Sequence, residues 1–244
     1  MKYIYILLFI FLSINPLTGS ETAAPGTALN GEVTGTVTDI DGNVYRTVKI
    51  GEQWWMAENL RVKHYRYGDT IPYLMDNYTW GSWSRLEMGA CCSYNYAEAI
   101  GKIYGLLYNW YALNDSRNIA PEGWHIPTHD DWKKLEIFLG MSTSEAARNA
   151  WRGTDEGGML KETGTAHWKS PNDGATDEFN FSALPGGARF NDDFYGLGAY
   201  AYFWTSTGNP NYYASYRSLY FRYSDIFVYS VSVDHGFSVR CVKD

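Results

Sequence analysis

Cysteine, proline and positive charge are all scarce in this chain of 244 residues. It contains 3 cysteines and 8 prolines, and its 20 Lys and Arg residues are outnumbered by 27 Asp and Glu residues, which gives a net charge of -7. Binding to nucleic acid needs a clustered excess of Lys and Arg. We therefore exclude nucleic acid as a partner.

The chain also lacks an apolar run long enough to cross a bilayer, which takes about 20 residues. Its apolar run at 3–14 follows the basic residue Lys2 and precedes the small residues at 18–20. This order is typical of a secretory signal peptide, so we expect residues 1–20 to direct export and then be removed. Ser20 stands where a lipoprotein leader has its lipid-bearing cysteine, so we expect no lipid anchor and no direct membrane insertion. The mature protein would be periplasmic, associated with the cell surface, or secreted.

What remains is long enough for one domain with a substantial core. Residues 21–32 lack an apolar period and are typical of a flexible leader, so we expect the domain to occupy residues 33–244. Its first element is predicted to be a β-hairpin over 37–50, because β-branched residues flank Asp41 and Gly42, a pair that favours tight hairpin turns.

Helical patterns fill the middle of the chain. Helices are predicted at 97–104, 128–140 and 144–152, and the stretch before residue 97, which is rich in Gly and Tyr, is predicted to be a loop. The clearest one starts at Thr128, which can cap the helix with Asp131 as its capping-box partner. The run 202–242 alternates in the manner of strands. A helix pair flanked by short strands predicts an α+β fold.

The three cysteines, Cys91, Cys92 and Cys241, are an odd number in an exported chain. At most one internal disulfide can form, which leaves one thiol over. We expect Cys92 to pair with Cys241. A bond between the adjacent Cys91 and Cys92 is the less favoured alternative, because it would strain the peptide between them.

Seven short segments with distinctive sequences lie in order along the chain. They are DGNVY (41–45) with KIG (49–51), WMAENL (55–60), YGLLYNWYA (104–112), PEGWHIPT (121–128), FSALPGG (181–187), FWTS (203–206) and GFSVRCV (236–242). Each alone is a weak signal, but the ordered set is specific. It resembles the Fibrobacter succinogenes major paralogous domain family, a group of exported bacterial domains of unsettled function.

The resemblance implies a C-type-lectin-like scaffold with short twisted strands, two helices and long irregular loops. Formylglycine-generating sulfatase modifiers have a related shape, and their ending is similar to 236–240. Enzymes and binding proteins both use this scaffold, so the fold does not decide the function. Family members often have a cysteine before Pro121, where this chain has Ala120, so a natural partner for Cys241 is missing and the disulfide pairing stays open.

No motif for metal binding stands out. Pro127 separates His125 from His129 and prevents the shared helical turn that would face both histidines the same way. The loop at 172–178 has oxygen ligands that suit calcium, but the chain lacks the Glu-Pro-Asn or Gln-Pro-Asp triplet that lectins of this fold use for calcium. We expect no cofactor, with calcium as the alternative.

Catalytic motifs are equally scarce, since no nucleophile elbow, phosphate loop or dinucleotide fingerprint is present. A pair of carboxylates could still serve a glycosidase, and the candidates are Glu58, Glu122, Asp192 and Asp193. Their spacing does not single out any two of them. A carbohydrate-active or protein-modifying enzyme therefore remains the alternative to a binding protein.

The stretch 205–242 contains no Lys, Glu, Gln, Met or Trp. Strand composition explains part of this bias, because strands disfavour Lys and Glu. A genetic hypothesis explains all of it: every residue type in the stretch has a codon ending in a pyrimidine, the set that results when Asn codons are randomised at their adenines. Diversity-generating retroelements act in this way on lectin-fold proteins, just before an ending similar to 236–240.

Tyrosine and serine are abundant in the same stretch, as in recognition loops, where Tyr gives contact area and Ser gives adaptable hydrogen bonds. The candidate ligand-binding residues are Tyr212, Tyr213, Tyr216, Ser218, Tyr220, Arg222, Tyr223, Asp225, Tyr229, Asp234 and His235. Alternation puts Tyr216, Ser218, Tyr220 and Arg222 on one face, which we expect to be the binding face. The sequence thus favours an exported, non-catalytic module that recognises a glycan or a protein, ahead of an enzyme or an adhesin subunit.

Overall fold

The computed structural model of the protein describes residues 34–190, 193–209 and 211–244. The expected signal peptide at 1–20 and leader at 21–32 lie outside the described residues. Within the described part of the chain, no helix is both long enough and apolar enough to span a bilayer.

Short strands and helices alternate along the chain. The strands are β1 (Thr34–Thr38), β2 (Val44–Ile50), β3 (Gln53–Met56), β4 (Cys91–Cys92), β5 (Leu107–Tyr108), β6 (Trp124–His125), β7 (Ala150–Arg152), β8 (Ala188–Phe190), β9 (Asp193–Tyr195), β10 (Tyr200–Gly208), β11 (Tyr213–Tyr220), β12 (Ile226–Ser232) and β13 (Val242–Lys243). The helices are α1 (Asn77–Arg85), α2 (Glu98–Tyr104), α3 (Trp110–Asn114), α4 (His129–Phe138), α5 (Thr143–Ala146) and α6 (Glu156–Leu160), with a 3₁₀ turn at Tyr94–Tyr96. The fold is α+β, as predicted, and its named sheets are antiparallel, but the described residues form six helices where the resemblance implies two.

The predicted opening hairpin is present, since β1 pairs with β2 in antiparallel register. The Asp39 carboxylate accepts hydrogen bonds from the backbone N–H groups of Asp41 and Asn43 and so stabilises the turn. Gly42 has a φ of 79°, in the left-handed region that favours glycine. This local requirement is the reason that an Asp-Gly pair predicts a hairpin.

The end of the chain completes the first sheet, whose strand order is β1-β2-β3-β13-β6. Val242 of β13 lies opposite both Trp55 of β3 and His125 of β6. Asp244 also contacts His125, with 2.7 Å between Oδ1 and Nδ1. The last residues therefore tie the opening hairpin to the segment that precedes α4.

One buried arginine joins four of the segments that carry the family resemblance. Arg240 is 1% exposed and donates hydrogen bonds of 2.8 Å to the side-chain oxygen of Asn59 and the carbonyl of Ser182. Asn59 in turn donates to the carbonyl of Tyr104 at 2.7 Å. Burial lowers the pKa of Arg240 to about 9, so the guanidinium stays charged at neutral pH above the ring of Phe181. These motif residues hold the fold together.

Helix α4 begins as predicted, with Thr128 as N-cap and a complete capping box to Asp131. Trp132 of this helix contacts Phe203 of β10 with 5.6 Å between the ring centroids. Both rings belong to a core cluster that also contains Leu219 of β11. The helix thus covers one face of the second sheet.

Two local predictions are wrong. A helix was expected over 144–152, but α5 ends at Ala146 and Ala150–Arg152 forms β7. Trp151 pairs with Phe227 of β12, and this long-range contact overrides the local helix propensity. Helix α1 lies in a stretch expected to be a loop. Its start is marked by Asp76, whose carboxylate accepts a hydrogen bond from the Thr79 N–H.

The expected disulfide between Cys92 and Cys241 is absent, and all three cysteines are free and buried. Cys91 and Cys92 are neighbours on β4, so their side chains point to opposite sides of the strand. Cys241 packs in the hydrophobic cluster of Cys91, whereas Cys92 packs in a separate cluster. This separation prevents the expected pairing.

Candidate functional site

The second sheet, with strand order β10-β11-β12-β7, carries large aromatic side chains on one face. Cross-strand register and the alternation of side chains define this surface, which we call the aromatic face. Its members are Trp151 of β7, Tyr200, Tyr202 and Trp204 of β10, Tyr216, Ser218 and Tyr220 of β11, and Phe227, Tyr229 and Val231 of β12.

Part of the aromatic face is open to solvent and continues onto neighbouring loops. Seven rings form an unbroken path, which we call the aromatic platform. In order, with the distances between ring centroids, they are Tyr195, Tyr200 (5.6 Å), Tyr220 (4.3 Å), Tyr223 (5.2 Å), Trp151 (4.8 Å), Phe227 (5.0 Å) and Tyr229 (6.2 Å). Tyr195, Tyr223 and Tyr229 are 53%, 47% and 55% exposed. The platform offers broad apolar contact area edged with hydroxyl groups.

The rest of the aromatic face is covered, and it includes two residues of the expected binding face. Tyr216 is 8% exposed and Ser218 is 2% exposed. The Tyr216 ring packs against Phe237 at 5.1 Å and Tyr202 at 5.9 Å. Burial raises the pKa of Tyr216 to about 12. Tyr220 is thus the member of the expected face that stays within the open platform.

The remaining expected residues lie beyond the platform, at the two ends of β11 and β12. Arg222 is exposed in the turn between these strands, where its guanidinium lies 5.2 Å from the ring of Phe221. Asp225 is half-buried in the same turn, and burial raises its pKa. At the opposite end are Tyr212 and Tyr213, which are exposed, Asp234, which is half-buried, and His235, which is buried.

A buried charged triad lies behind the aromatic face. Glu136 of α4 accepts a hydrogen bond from Nε of Arg217 at 2.9 Å and one from the Arg152 guanidinium at 2.7 Å, and all three side chains are 0% exposed. Arg217 also donates to Nδ1 of His129 at 2.9 Å. Burial, together with the charge of Arg217, lowers the pKa of His129 to about 4, so the ring is a neutral acceptor. The triad fastens β11 and β7 to α4.

The turn at the edge of the platform is held by Lys161. Its ammonium donates to the backbone carbonyls of Asp173, Tyr220 and Tyr223 at 2.7, 3.2 and 2.9 Å. Lys161 is 0% exposed, and this desolvation lowers its pKa to about 8. Two members of the platform therefore have their backbone fixed by a single buried cation.

The residues considered as metal ligands have protein partners instead. His125 contacts Asp131 at 3.2 Å as well as Asp244, and Asp177 accepts hydrogen bonds from the N–H and hydroxyl of Ser182. Across the ranges that the structure describes, no three His, Cys, Asp or Glu side chains converge to hold a metal ion. The expectation that the chain needs no cofactor stays a prediction.

Glu58, one of the carboxylates considered for catalysis, lines a cleft of about 420 Å³ together with Glu162. It forms ion pairs with Arg46 at 3.1 Å and Arg61 at 3.3 Å. Burial raises the pKa of Glu58, but hydrogen bonds from these two arginines outweigh it and leave the pKa below its usual value. Glu162 contacts His167 at 2.8 Å. The other candidates are apart from this cleft, since Glu122 and Asp193 are exposed elsewhere and Asp192 lies outside the described residues.

Sequence reasoning missed four members of the platform. Trp151, Tyr195 and Tyr200 precede the biased stretch at 205–242, and Phe227 lies within that stretch but is neither Tyr nor Ser. The alternation of Tyr200 and Tyr202 with small residues was a usable signal for a strand with an aromatic face. Trp151 gave no such signal, because it reaches the sheet only through its pairing with β12.

Comparison with known proteins identifies the family. No curated protein and no solved structure matches the chain. The model of the Fibrobacter succinogenes major domain matches residues 48–243, from the second half of β2 to β13, and so includes the whole second sheet, the first sheet without β1, and the buried Arg240. Because the match covers most of the chain, this protein belongs to the Fibrobacter succinogenes major domain family.

Proposed function

We propose that this chain is an exported, non-catalytic module that binds a glycan or a protein through the aromatic platform. The observation that carries the proposal is the unbroken path of seven rings on a sheet whose reverse face is fastened by the Glu136 triad. Rigid aromatic side chains give contact area at a small cost in conformational entropy, and tyrosine hydroxyls add adjustable hydrogen bonds.

A C-type-lectin-like scaffold is part of this proposal. The short strands, the antiparallel second sheet and the loops between α6 and β8 support it. Two observations support export. Residues 1–20 have the pattern of a signal peptide, and the chain belongs to a family that the sequence resemblance describes as exported domains. Detection of the mature chain, without residues 1–20, outside the cytoplasm tests that part of the proposal.

Diversification by a retroelement would make part of the platform variable. Tyr223 and Tyr229 are exposed members within the biased stretch 205–242, whereas Trp151 and Tyr195 lie outside it. A ligand would then meet some fixed rings and some variable ones. We expect a template repeat beside the gene that matches this stretch except at adenines, and a gene neighbourhood without such a repeat contradicts the idea.

The cleft that contains Glu58 and Glu162 favours an enzyme as the second candidate, because two carboxylates line one cavity. A glycosidase needs one of its two carboxylic acids protonated, with a raised pKa. The two arginines keep Glu58 ionised, which suits a nucleophile or base but not the acid, and Glu162 is already paired with His167 at 2.8 Å; binding therefore ranks first. Release of reducing ends from a glycan panel, lost in Glu58→Gln, would establish the enzyme instead.

A glycan and protein array with the purified chain tests the proposed function. We expect at least one ligand to bind, with Tyr223→Ser and Tyr229→Ser combined in one variant weakening it about tenfold or more. Tyr67→Ser is the matched control, since Tyr67 is 82% exposed and lies outside the platform. Binding that survives the platform variant unchanged contradicts the proposal.

A further inference from the structure

A cavity separate from the platform lies past the end of β12, about 10 Å along the strand from Tyr229. It is a cavity of about 340 Å³, within the range of small-ligand pockets. Its walls include Trp80, Ser84 and Arg85 of α1, Tyr111 of α3, Tyr212 and Asp234. Two of these residues, Tyr212 and Asp234, belong to the expected ligand-binding set but not to the platform.

The polar groups in this cavity are an acceptor and a donor of opposite charge. The Asp234 side chain is 40% exposed, and its interaction with His235 at 3.1 Å lowers its pKa, so it is an ionised acceptor at neutral pH. Arg85 is exposed and donates to the Ser82 hydroxyl at 3.0 Å, which leaves guanidinium N–H groups for a ligand. Among the residues that the structure describes, no ion pair joins Arg85 to Asp234. The charges of the walls therefore cancel while both side chains can still bind a ligand.

The position of Asp234 is fixed before any ligand arrives. Its backbone carbonyl accepts a hydrogen bond of 2.8 Å from the Trp80 indole, and the carbonyl of Val233 accepts one of 2.9 Å from the Trp110 N–H. Tyr111 lies near enough for the charge of Asp234 to raise its pKa, in addition to the larger effect of burial. An acceptor on a held backbone beside a tyrosine ring is a preorganised arrangement, which lowers the entropy cost of binding.

We propose that this cavity binds one neutral pyranose residue of a glycan. Sugar hydroxyls donate to the Asp234 carboxylate and accept from the Arg85 guanidinium, and such charge-assisted hydrogen bonds are the strong ones. The half-buried ring of Tyr111 and the exposed ring of Tyr212 pack against the C–H groups of the sugar. We expect an uncharged ligand because the walls carry one charge of each sign, and a sugar carboxylate that paired with Arg85 would share the cavity with the ionised Asp234. This inference rests on the glycan form of the proposed function and adds a second contact point to it.

Titration of the chain with the methyl glycosides of glucose, galactose and mannose, followed by NMR, tests the inference. The Trp80 indole N–H is the reporter, because it donates a hydrogen bond to the backbone carbonyl of Asp234. The signal that disappears in Trp80→Phe belongs to this N–H. We expect at least one of the three sugars to shift this signal at millimolar concentration, and methyl glucuronide to bind more weakly than the glucoside. No shift with any of the three overturns the inference.

Two variants locate the binding. Asp234→Asn and Arg85→Met should each weaken the sugar about tenfold. Arg85 is exposed, so its variant keeps the fold even if Asp234→Asn does not. Asp130→Asn, which changes an exposed carboxylate on α4, is the matched control. Equal affinity of Arg85→Met and the parent chain overturns the inference.

The same variants separate this inference from the proposed function. In the first outcome, the Tyr223 and Tyr229 variant loses its array ligands, while Arg85→Met changes the binding of neither sugars nor array ligands. This result overturns the sugar site in the cavity and supports the platform. In the second outcome, a sugar shifts the Trp80 signal only when Arg85 is present, and array ligands bind the platform variant as well as the parent chain. This result supports the sugar site in the cavity and overturns the platform.

Discussion

Nε of Arg217 lies 2.9 Å from Oε1 of Glu136, and both side chains are completely buried. Arg217 stands between Tyr216 and Ser218 on β11, so the ion pair lies on the opposite side of the strand from the aromatic face. Arg152 makes the same kind of contact from β7, next to Trp151 of the platform. One carboxylate thus sets the positions of two strands that present the rings.

Glu136→Gln should lower the free energy of unfolding by about 3 to 5 kcal/mol, because it leaves two buried guanidinium groups without their carboxylate. Urea denaturation followed by tryptophan fluorescence measures the change. The control is Asp130→Asn, which removes the exposed ion pair of Asp130 with Lys133 on the same helix and should cost less than about 1 kcal/mol. Equal effects of the two variants would show that the triad does not hold the sheet.

Acidification should destabilise the protein through His129. Its pKa is about 4 in the folded chain against an ordinary value of 6.5, so the unfolded chain takes up the proton first as the pH falls. The contribution of His129 to stability is complete above pH 6.5 and is lost towards pH 4, with a slope of up to about 1.4 kcal/mol per pH unit.

His129→Asn isolates this contribution, since its Oδ1 replaces the Nδ1 acceptor and does not titrate. Unfolding free energies of both proteins at several pH values give the difference. We expect the parent chain to lose stability relative to the variant between pH 6.5 and 4. Parallel pH profiles would mean that His129 does not titrate in this way.

Lys161→Met should loosen the turn at the platform edge, because it leaves the carbonyls of Asp173, Tyr220 and Tyr223 without their shared donor. We expect a loss of roughly 1 to 3 kcal/mol in stability and faster amide exchange over 220–225. Lys169→Met changes an exposed lysine and serves as the control. Unchanged exchange in this turn would contradict the role given to Lys161.

The three cysteines should behave as free, unreactive thiols in the native protein. Burial raises their pKa values, that of Cys92 to about 12, and the reactive thiolate is therefore scarce at neutral pH. A thiol reagent should label none of them quickly in the folded chain and all three after denaturation without reductant. Detection of one free thiol instead of three in the denatured protein would show that the native protein contains a disulfide.

The sequence predicts the elements whose cause is local. Asp41 and Gly42 specify a turn by themselves, and Thr128 with Asp131 specifies a helix start within four residues. Residues 144–152 show where this fails, since their helical pattern is overruled by the pairing of Trp151 with Phe227.

The candidate site was predictable only in part for the same reason. Tyr and Ser enrichment points to β11 and β12, which carry part of the platform, and alternation separates the side of β11 with Tyr220 from the side with Arg217. Alternation cannot show that Tyr216 is buried while Tyr220 stays in the open platform, because Phe237, the ring that covers Tyr216, comes from a different segment. Trp151 enters the platform through contacts with Tyr223 and Phe227, which are distant in the chain, and no local pattern encodes such contacts.

The Trp151 indole N–H signal provides the most direct test of the central claim, because Trp151 lies at the middle of the platform and is half-buried. Its NMR signal can be followed while an array-identified ligand is added. The Trp168 indole, buried and bonded to the carbonyl of Ala183 at 2.9 Å, is the internal reference. We predict that the Trp151 signal shifts with saturation while that of Trp168 stays in place. A bound ligand that leaves the Trp151 signal unchanged would contradict the platform as the binding surface.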